Sequence, residues 1–124
     1  MATILVTDDQ QISRDVLSEM LRNMGHEVRT AFNGSEALRL FAQTPFDLVT
    51  TDLYMPVMDG YILAKRIKQK SPDTPVIMIT GSVIEDLESR KTKHENVDLV
   101  LSKPLTFQTL EKATAGFLYS DSKG

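Results

Sequence analysis

Short apolar runs alternate with helix-patterned stretches along this whole chain, and no other feature limits its fold so narrowly. The runs are Thr3-Ile4-Leu5-Val6-Thr7, Leu48-Val49-Thr50-Thr51, Val76-Ile77-Met78-Ile79 and Val97-Asp98-Leu99-Val100-Leu101. After the first run, Ile12, Val16, Met20 and Met24 recur at i, i+4 spacing, which predicts a helix with an apolar stripe. Gly25 stops that helix, and residues 26–30 form a short strand. Residues 35–42 carry Ala37, Leu38 and Phe41 on one helical face, with Pro45 beyond their end. Asp59-Gly60 opens a helix with Leu63, Ala64 and Ile67, and Ser71-Pro72-Asp73-Thr74-Pro75 breaks the chain again. Residues 84–94 read as a polar helix with Leu87 as its main apolar contact. Thr106 caps a last helix carrying Phe107, Leu110 and Phe117. Five strand–helix pairs imply right-handed crossovers and an α/β fold, a five-stranded parallel sheet with helices on both faces. Strands buried on both faces need continuous apolar runs. Residues 26–30, the least apolar, suit an edge.

At 124 residues the chain is large enough for one domain with a real core, read as residues 1–119 followed by a frayed tail, 120–124. There is no cysteine, so a thiol nucleophile, a disulfide framework and a zinc–thiolate site are excluded. The start of the chain lacks the basic region of a secretory signal. No apolar run approaches the ~20 residues that span a bilayer, so a cytoplasmic protein with no membrane partner is expected. A net charge of -3 argues against direct nucleic-acid binding. Lys65, Arg66, Lys68 and Lys70 cluster, but read as a solvated helix face. His26 and His94 read as solvated too.

The ends of the runs carry the chemistry. In an open parallel sheet, ligands bind outside the carboxyl ends of the strands. Asp8, Asp9, Asp52, Thr80 and Lys103 all follow or close a run, so all five are expected at that edge. An acidic pair by itself often only caps a helix, a threonine before Gly81 often does the same, and a lysine before Pro104 is often plain surface. A third carboxylate changes the weighing. At ~5 Å and an effective dielectric of ~20, each pair of carboxylates repels by ~3 kcal/mol, so the cluster either binds a cation or has a use for the strain. All-oxygen ligation favours Mg2+, with Mn2+ as a substitute, and disfavours zinc. A carboxylate can attack phosphorus to form an aspartyl phosphate, and Asp52, central at a strand end, is the candidate. Phosphoryl transfer then needs mainly positioning and charge neutralisation, which the cation, Lys103 and Thr80 supply. A cis Lys103-Pro104 bond would turn the lysine over the site.

These residues, with the segment Asp52-Leu53-Tyr54-Met55-Pro56-Val57-Met58-Asp59-Gly60, Thr80-Gly81 and Lys103-Pro104, make the chain resemble the receiver domains of two-component response regulators, from Ile4 to about Leu118. The resemblance implies strand order 2-1-3-4-5. It implies Asp52 as phosphoacceptor, Mg2+ on Asp9, Asp52 and the Tyr54 carbonyl, and Asp8 acting mainly through water. Lys103 would neutralise the phosphoryl group and Thr80 would move to bind it. The donor would be a sensor histidine kinase or histidine phosphotransfer protein. The chain would be a switch for an unknown output protein, not an enzyme, although it would catalyse its own phosphorylation. Output contacts are expected on residues 84–94, the last strand and the last helix.

Some positions depart from the family. Val100 stands where Tyr or Phe usually couples the site to the outer face, Asn96-Val97 replaces Gly-Ala, and Leu105 replaces Phe. Tyr54 and Ser82 occupy the positions that tune loss of the phosphoryl group, and Tyr54 either screens the site or lies on the surface. Two charge-assisted hydrogen bonds, from Thr80 and Lys103, are worth ~3–6 kcal/mol. Reversing a 1:99 equilibrium takes ~5.5. A flavin-binding domain would need a phosphate loop where Asp8-Asp9 stand, and a dehalogenase-type phosphatase would need an acid at Tyr54. A non-phosphorylated receiver-like interaction module is the alternative, kept open by Val100.

Overall fold

The computed structural model describes residues 2–81 and 96–119; the expectations for Ser82, for the helix 84–94 with Leu87 and His94, and for the tail 120–124 lie outside the described residues. The strands are β1 (Thr3–Thr7), β2 (Glu27–Ala31), β3 (Leu48–Thr51), β4 (Val76–Thr80) and β5 (Leu99–Ser102). The described helices are α1 (Gln11–Asn23), α2 (Gly34–Gln43), α3 (Gly60–Lys70) and α4 (Phe107–Leu118). All strand pairs are parallel and the sheet order is β2-β1-β3-β4-β5, with β2 at an edge as its polarity requires.

Alternation along the central strands divides the core into two layers. Leu5, Val49 and Val76 stand in register and meet Ala37 and Leu40 of α2 and Leu63, Ala64 and Ile67 of α3. Ile4, Val6, Leu48, Ile77 and Ile79 point the other way, onto Leu17 and Leu21 of α1 and Leu110 of α4. Both faces of the sheet are therefore covered, and the central strands expose almost nothing. Asn33, Asp59 and Thr106 cap α2, α3 and α4 by accepting from the N–H three residues on. Gly25, with φ +96°, takes the left-handed conformation that ends α1.

Several expectations need correction. The core-facing row of α1 is Leu17–Leu21, not the row Ile12–Val16–Met20–Met24. Ile12 is 79% and Val16 49% exposed, while Met20 and Met24 are only partly buried. The apolar residues of α1 form two adjacent rows; Leu17 and Leu21 are taken fully into the core, and of the other row only Met20 and Met24 pack partly against it. On α4, Leu110 is fully buried but Phe107 and Phe117 remain over a third exposed. His26 is buried rather than solvated. Its Nδ1 accepts from the Ala2 N–H at 3.2 Å and its ring stacks on Tyr119. Burial, the largest influence, holds its pKa below the usual histidine value against the opposing carboxylate of Asp47. Lys68 leaves the solvated face to pair with Asp98 at 2.7 Å. Asp98 also accepts from the Val76 N–H at 2.7 Å, so it stands just before β5 rather than within it. Among the described residues no helix is long and apolar enough to cross a membrane.

Candidate functional site

Each principal site residue sits one backbone hydrogen bond beyond the end of its strand. The Asp8 N–H donates to the Ala31 carbonyl at 3.2 Å, that of Asp52 to Thr7 at 3.0 Å, and that of Lys103 to Thr80 at 2.9 Å. The β-ladder thus carries past the strand ends and sets the side chains side by side. Asp8 and Lys103, 95 positions apart, meet: Lys103 Nζ donates to Asp8 Oδ2 at 2.9 Å and to Asp52 Oδ2 at 3.4 Å. The Lys103-Pro104 peptide is cis.

The remaining carboxylate oxygens are held locally. Asp8 Oδ1 accepts from the Gln10 N–H at 2.9 Å, so Asp8 does steady the start of α1, whose own N-cap Gln10 gives no side-chain bond. Asp52 Oδ1 accepts from the Leu53 N–H at 2.8 Å. Ligand oxygens of Asp8, Asp9 and Asp52 all lie within 4.8 Å of one another. Asp8 is buried and Asp9 more open to solvent. Thr80 is the last residue of β4, buried and opposite Ser102. The Tyr54 side chain is half exposed.

Charge and burial oppose each other here. Burial pushes the Asp52 carboxyl above its ordinary pKa; the ammonium of Lys103 pulls it down, but the Asp8 carboxylate adds to the rise. Burial works to lower the Lys103 pKa, yet its bonds and attraction to Asp8 and Asp52 outweigh that and hold it raised. Among the described residues three carboxylates face one ammonium, which leaves a deficit of positive charge among oxygen donors only. That donor set fits a hard divalent cation.

Several contributors were not foreseen from the sequence. Arg14 Nη1 donates to the Asp8 carbonyl at 2.8 Å, a contact that a lone arginine on an otherwise polar helix face does not signal. Gly60 donates its N–H to the Leu53 carbonyl at 2.8 Å, and a Cβ there would overlap the Asp52 carbonyl oxygen. The exposed row of α1 also has a purpose: Ile12, Val16 and Met20 line a groove of about 430 Å3 with Pro104 and Leu105, opening beside Asp8 and Lys103. Val100 packs partly buried against Leu53, Tyr61 and Met78.

Between Asp52 and α3 the chain is strained. Val57 has φ +77°, and the Met58 N–H donates back to the Pro56 carbonyl at 2.8 Å, a tight three-residue turn. A β-branched residue rarely adopts this conformation. Val57 is 78% exposed, so no packing is lost on replacing it. Val57→Gly, which removes the Cβ that makes a positive φ costly, is expected to stabilise the fold by about 1 kcal/mol, read from urea unfolding; an unchanged midpoint would show the strain to be absent in solution.

Comparison with known proteins comes to the same place. The family model "Response regulator receiver domain" matches residues 4–115. Sensor histidine kinase RcsC of Salmonella typhimurium is 36% identical over 112 residues, 90% of this chain. The probable transcriptional regulator ycf27 of Cyanidium caldarium is 37% identical over 87% of this chain. The chain spans only 12% and 43% of these two relatives' lengths. Among solved structures, chemotaxis protein CheY4 of Vibrio cholerae superposes with a TM-score of 0.85 at 33% identity, covering 95% of this chain and 99% of that one. Response regulator protein TrrA of Thermotoga maritima, in complex with Mg2+–BeF, superposes at 0.86 and 33% identity, covering 95% and 100%.

Proposed function

Because this chain belongs to the response regulator receiver domain family, we propose that it is a phosphorylation-operated switch of two-component signalling with Asp52 as phosphoacceptor. The observation that carries this reading is the bridge from Lys103 Nζ to both Asp8 and Asp52, with Asp9 in the same cluster. An Asp52 carboxylate oxygen forms a bond to phosphorus while the bond from phosphorus to the donor's histidine nitrogen breaks, and the imidazole leaves. Lys103 keeps its charge throughout and turns from the carboxylates to the phosphoryl oxygens. Thr80, at the end of β4, donates its hydroxyl to the phosphoryl group.

Asp9, Asp52 and the Tyr54 carbonyl would hold Mg2+, or Mn2+ in its place, with Asp8 acting through water. When bound, the divalent cation neutralises charge on the transferred group. The resemblance to TrrA, solved with Mg2+–BeF, supports a divalent cation in this kind of site. The donor is a sensor histidine kinase or histidine phosphotransfer protein. The open apolar groove of Ile12 and Val16 beside Lys103 supports the docking of a donor helix there. The switch unit is residues 1–119, its output a change in partner binding rather than turnover. It works in the cytoplasm, which the absence of cysteine suits. Nothing beyond Val100 favours a non-phosphorylated module.

Intact-protein mass after incubation with acetyl phosphate and Mg2+ tests the reading. One phosphoryl adduct is expected, lost with EDTA and lost in Asp52→Asn. An adduct that survives Asp52→Asn would place the acceptor elsewhere. If acetyl phosphate gives no adduct, a phosphohistidine donor is the deciding reagent, and failure with both would sink the proposal.

A further inference from the structure

Helices α2 and α3 leave between them a groove of about 880 Å3 whose charged lining is entirely cationic: Arg39 from α2, with Lys65, Arg66 and Lys70 from α3. Apolar surface lies among these charges, from Leu38 and from Ile62, the latter 44% exposed. Lys68, on the same helix, is already taken by Asp98 at 2.7 Å. Among the described residues no ion pair holds Lys65, Arg66 or Lys70, and Arg39 reaches Glu36 only at 3.6 Å with its side chain 57% exposed. This concentration of positive charge occurs on a chain whose net charge is -3. Ile62, Lys65, Arg66 and Lys70 recur at helical spacing over two turns of α3, about 12 Å at 1.5 Å per residue. A site of that length and pattern matches one face of another helix.

We propose that this groove docks an acidic amphipathic helix of a partner protein, its apolar residues on Leu38 and Ile62 and its carboxylates on Arg39, Lys65, Arg66 and Lys70. Charge complementarity sets the sign of the partner, and the apolar lining calls for the helix-in-groove mode. Single-stranded nucleic acid suits the site less well, because no aromatic side chain lines it for bases to stack on. A lipid surface suits it less well too, since membrane-seeking helices present a broad protruding apolar face. The surface lies on the α2–α3 side of the sheet, away from α4.

The probe is a fluorescein-labelled helical peptide with Leu at i, i+4 positions and Glu flanking them, followed by anisotropy. Its arms are the same peptide with Gln for Glu, an oligonucleotide of equal length, and phosphatidylserine vesicles. Binding of the Glu peptide is expected to weaken at least about tenfold in Lys65→Glu/Arg66→Glu and to fall with added salt. It should be little changed in Lys112→Glu, an exposed charge reversal on α4. The side chains of Lys65, Arg66 and Lys112 are exposed, and far-ultraviolet circular dichroism verifies the fold. Equal binding by the double variant, or equal binding of Glu and Gln peptides, would overturn the proposal. So would tighter binding of the oligonucleotide or the vesicles, each reassigning the groove to that ligand.

Discussion

Lys103→Met is expected to destabilise the fold by about 3 kcal/mol, whereas Asp52→Asn is expected to stabilise it. The lysine substitution keeps the aliphatic stem and removes the one cation that, among the described residues, is bonded to Asp8 and Asp52. Asp8, with its side chain only 5% exposed, is then left as a buried carboxylate without its partner. Asp52 works in the opposite direction. Its folded pKa is raised above the ordinary 3.8, by burial first and with Asp8 adding to the effect. The unfolded chain therefore ionises this carboxyl more readily, and stability contributed by its protonated form is lost as pH rises above about 3.8. Asparagine carries no charge and removes that loss at neutral pH. Urea unfolding at neutral pH reads both variants. Because a divalent cation would replace part of the missing charge, Mg2+ should raise the melting temperature of Lys103→Met. Two variants moved in the same direction would mean that the carboxylate cluster is not electrostatically frustrated.

Gly60→Ala is expected to cost about 3 kcal/mol and to slow phosphoryl uptake on Asp52. The added methyl would overlap the Asp52 carbonyl oxygen and press on Met78 Cε at 3.0 Å. One of those atoms is backbone and cannot swing aside, so the start of α3 or the end of β3 must shift. Either movement disturbs the bond from the Gly60 N–H to Leu53, whose own N–H holds Asp52 Oδ1. The control is Gly116→Ala. In the exposed face of α4 the new methyl meets nothing within 4 Å, and alanine should stabilise the helix by about 0.5–1 kcal/mol. Thermal unfolding and the rate of adduct formation with acetyl phosphate distinguish the two. Gly60→Ala with unchanged stability and rate would show that the α3 junction yields without affecting the site.

The acidic site was legible because each of its residues stands at a run's end, and parallel strands bring their carboxyl ends to one edge. Asp8, Asp52 and Lys103 needed no knowledge of the packing to be placed together. The contacts of Arg14 and Gly60 were not legible in the same way. Arg14 acts through the Asp8 main chain, and the need for glycine at 60 arises only when the end of β3 passes against α3. His26 likewise resembles any solvated histidine until Ala2 and Tyr119 close over it.

From the sequence alone came the alternation of strand and helix, the helix start at Asp59-Gly60 and the cap at Thr106, and the edge where the charged residues gather. These depend on periodicity, local turn chemistry and the direction of the chain, all of which are properties of neighbours in sequence. Only the tertiary structure decided which row of α1 faces the sheet, putting Leu17 and Leu21 inside and leaving Ile12 and Val16 beside the site. It alone gathered Arg39 and the α3 cations around one groove. The physical reason is that a helix with two apolar rows satisfies its own backbone equally well either way. The choice is made by the surface it meets, and that surface comes from strands distant in sequence.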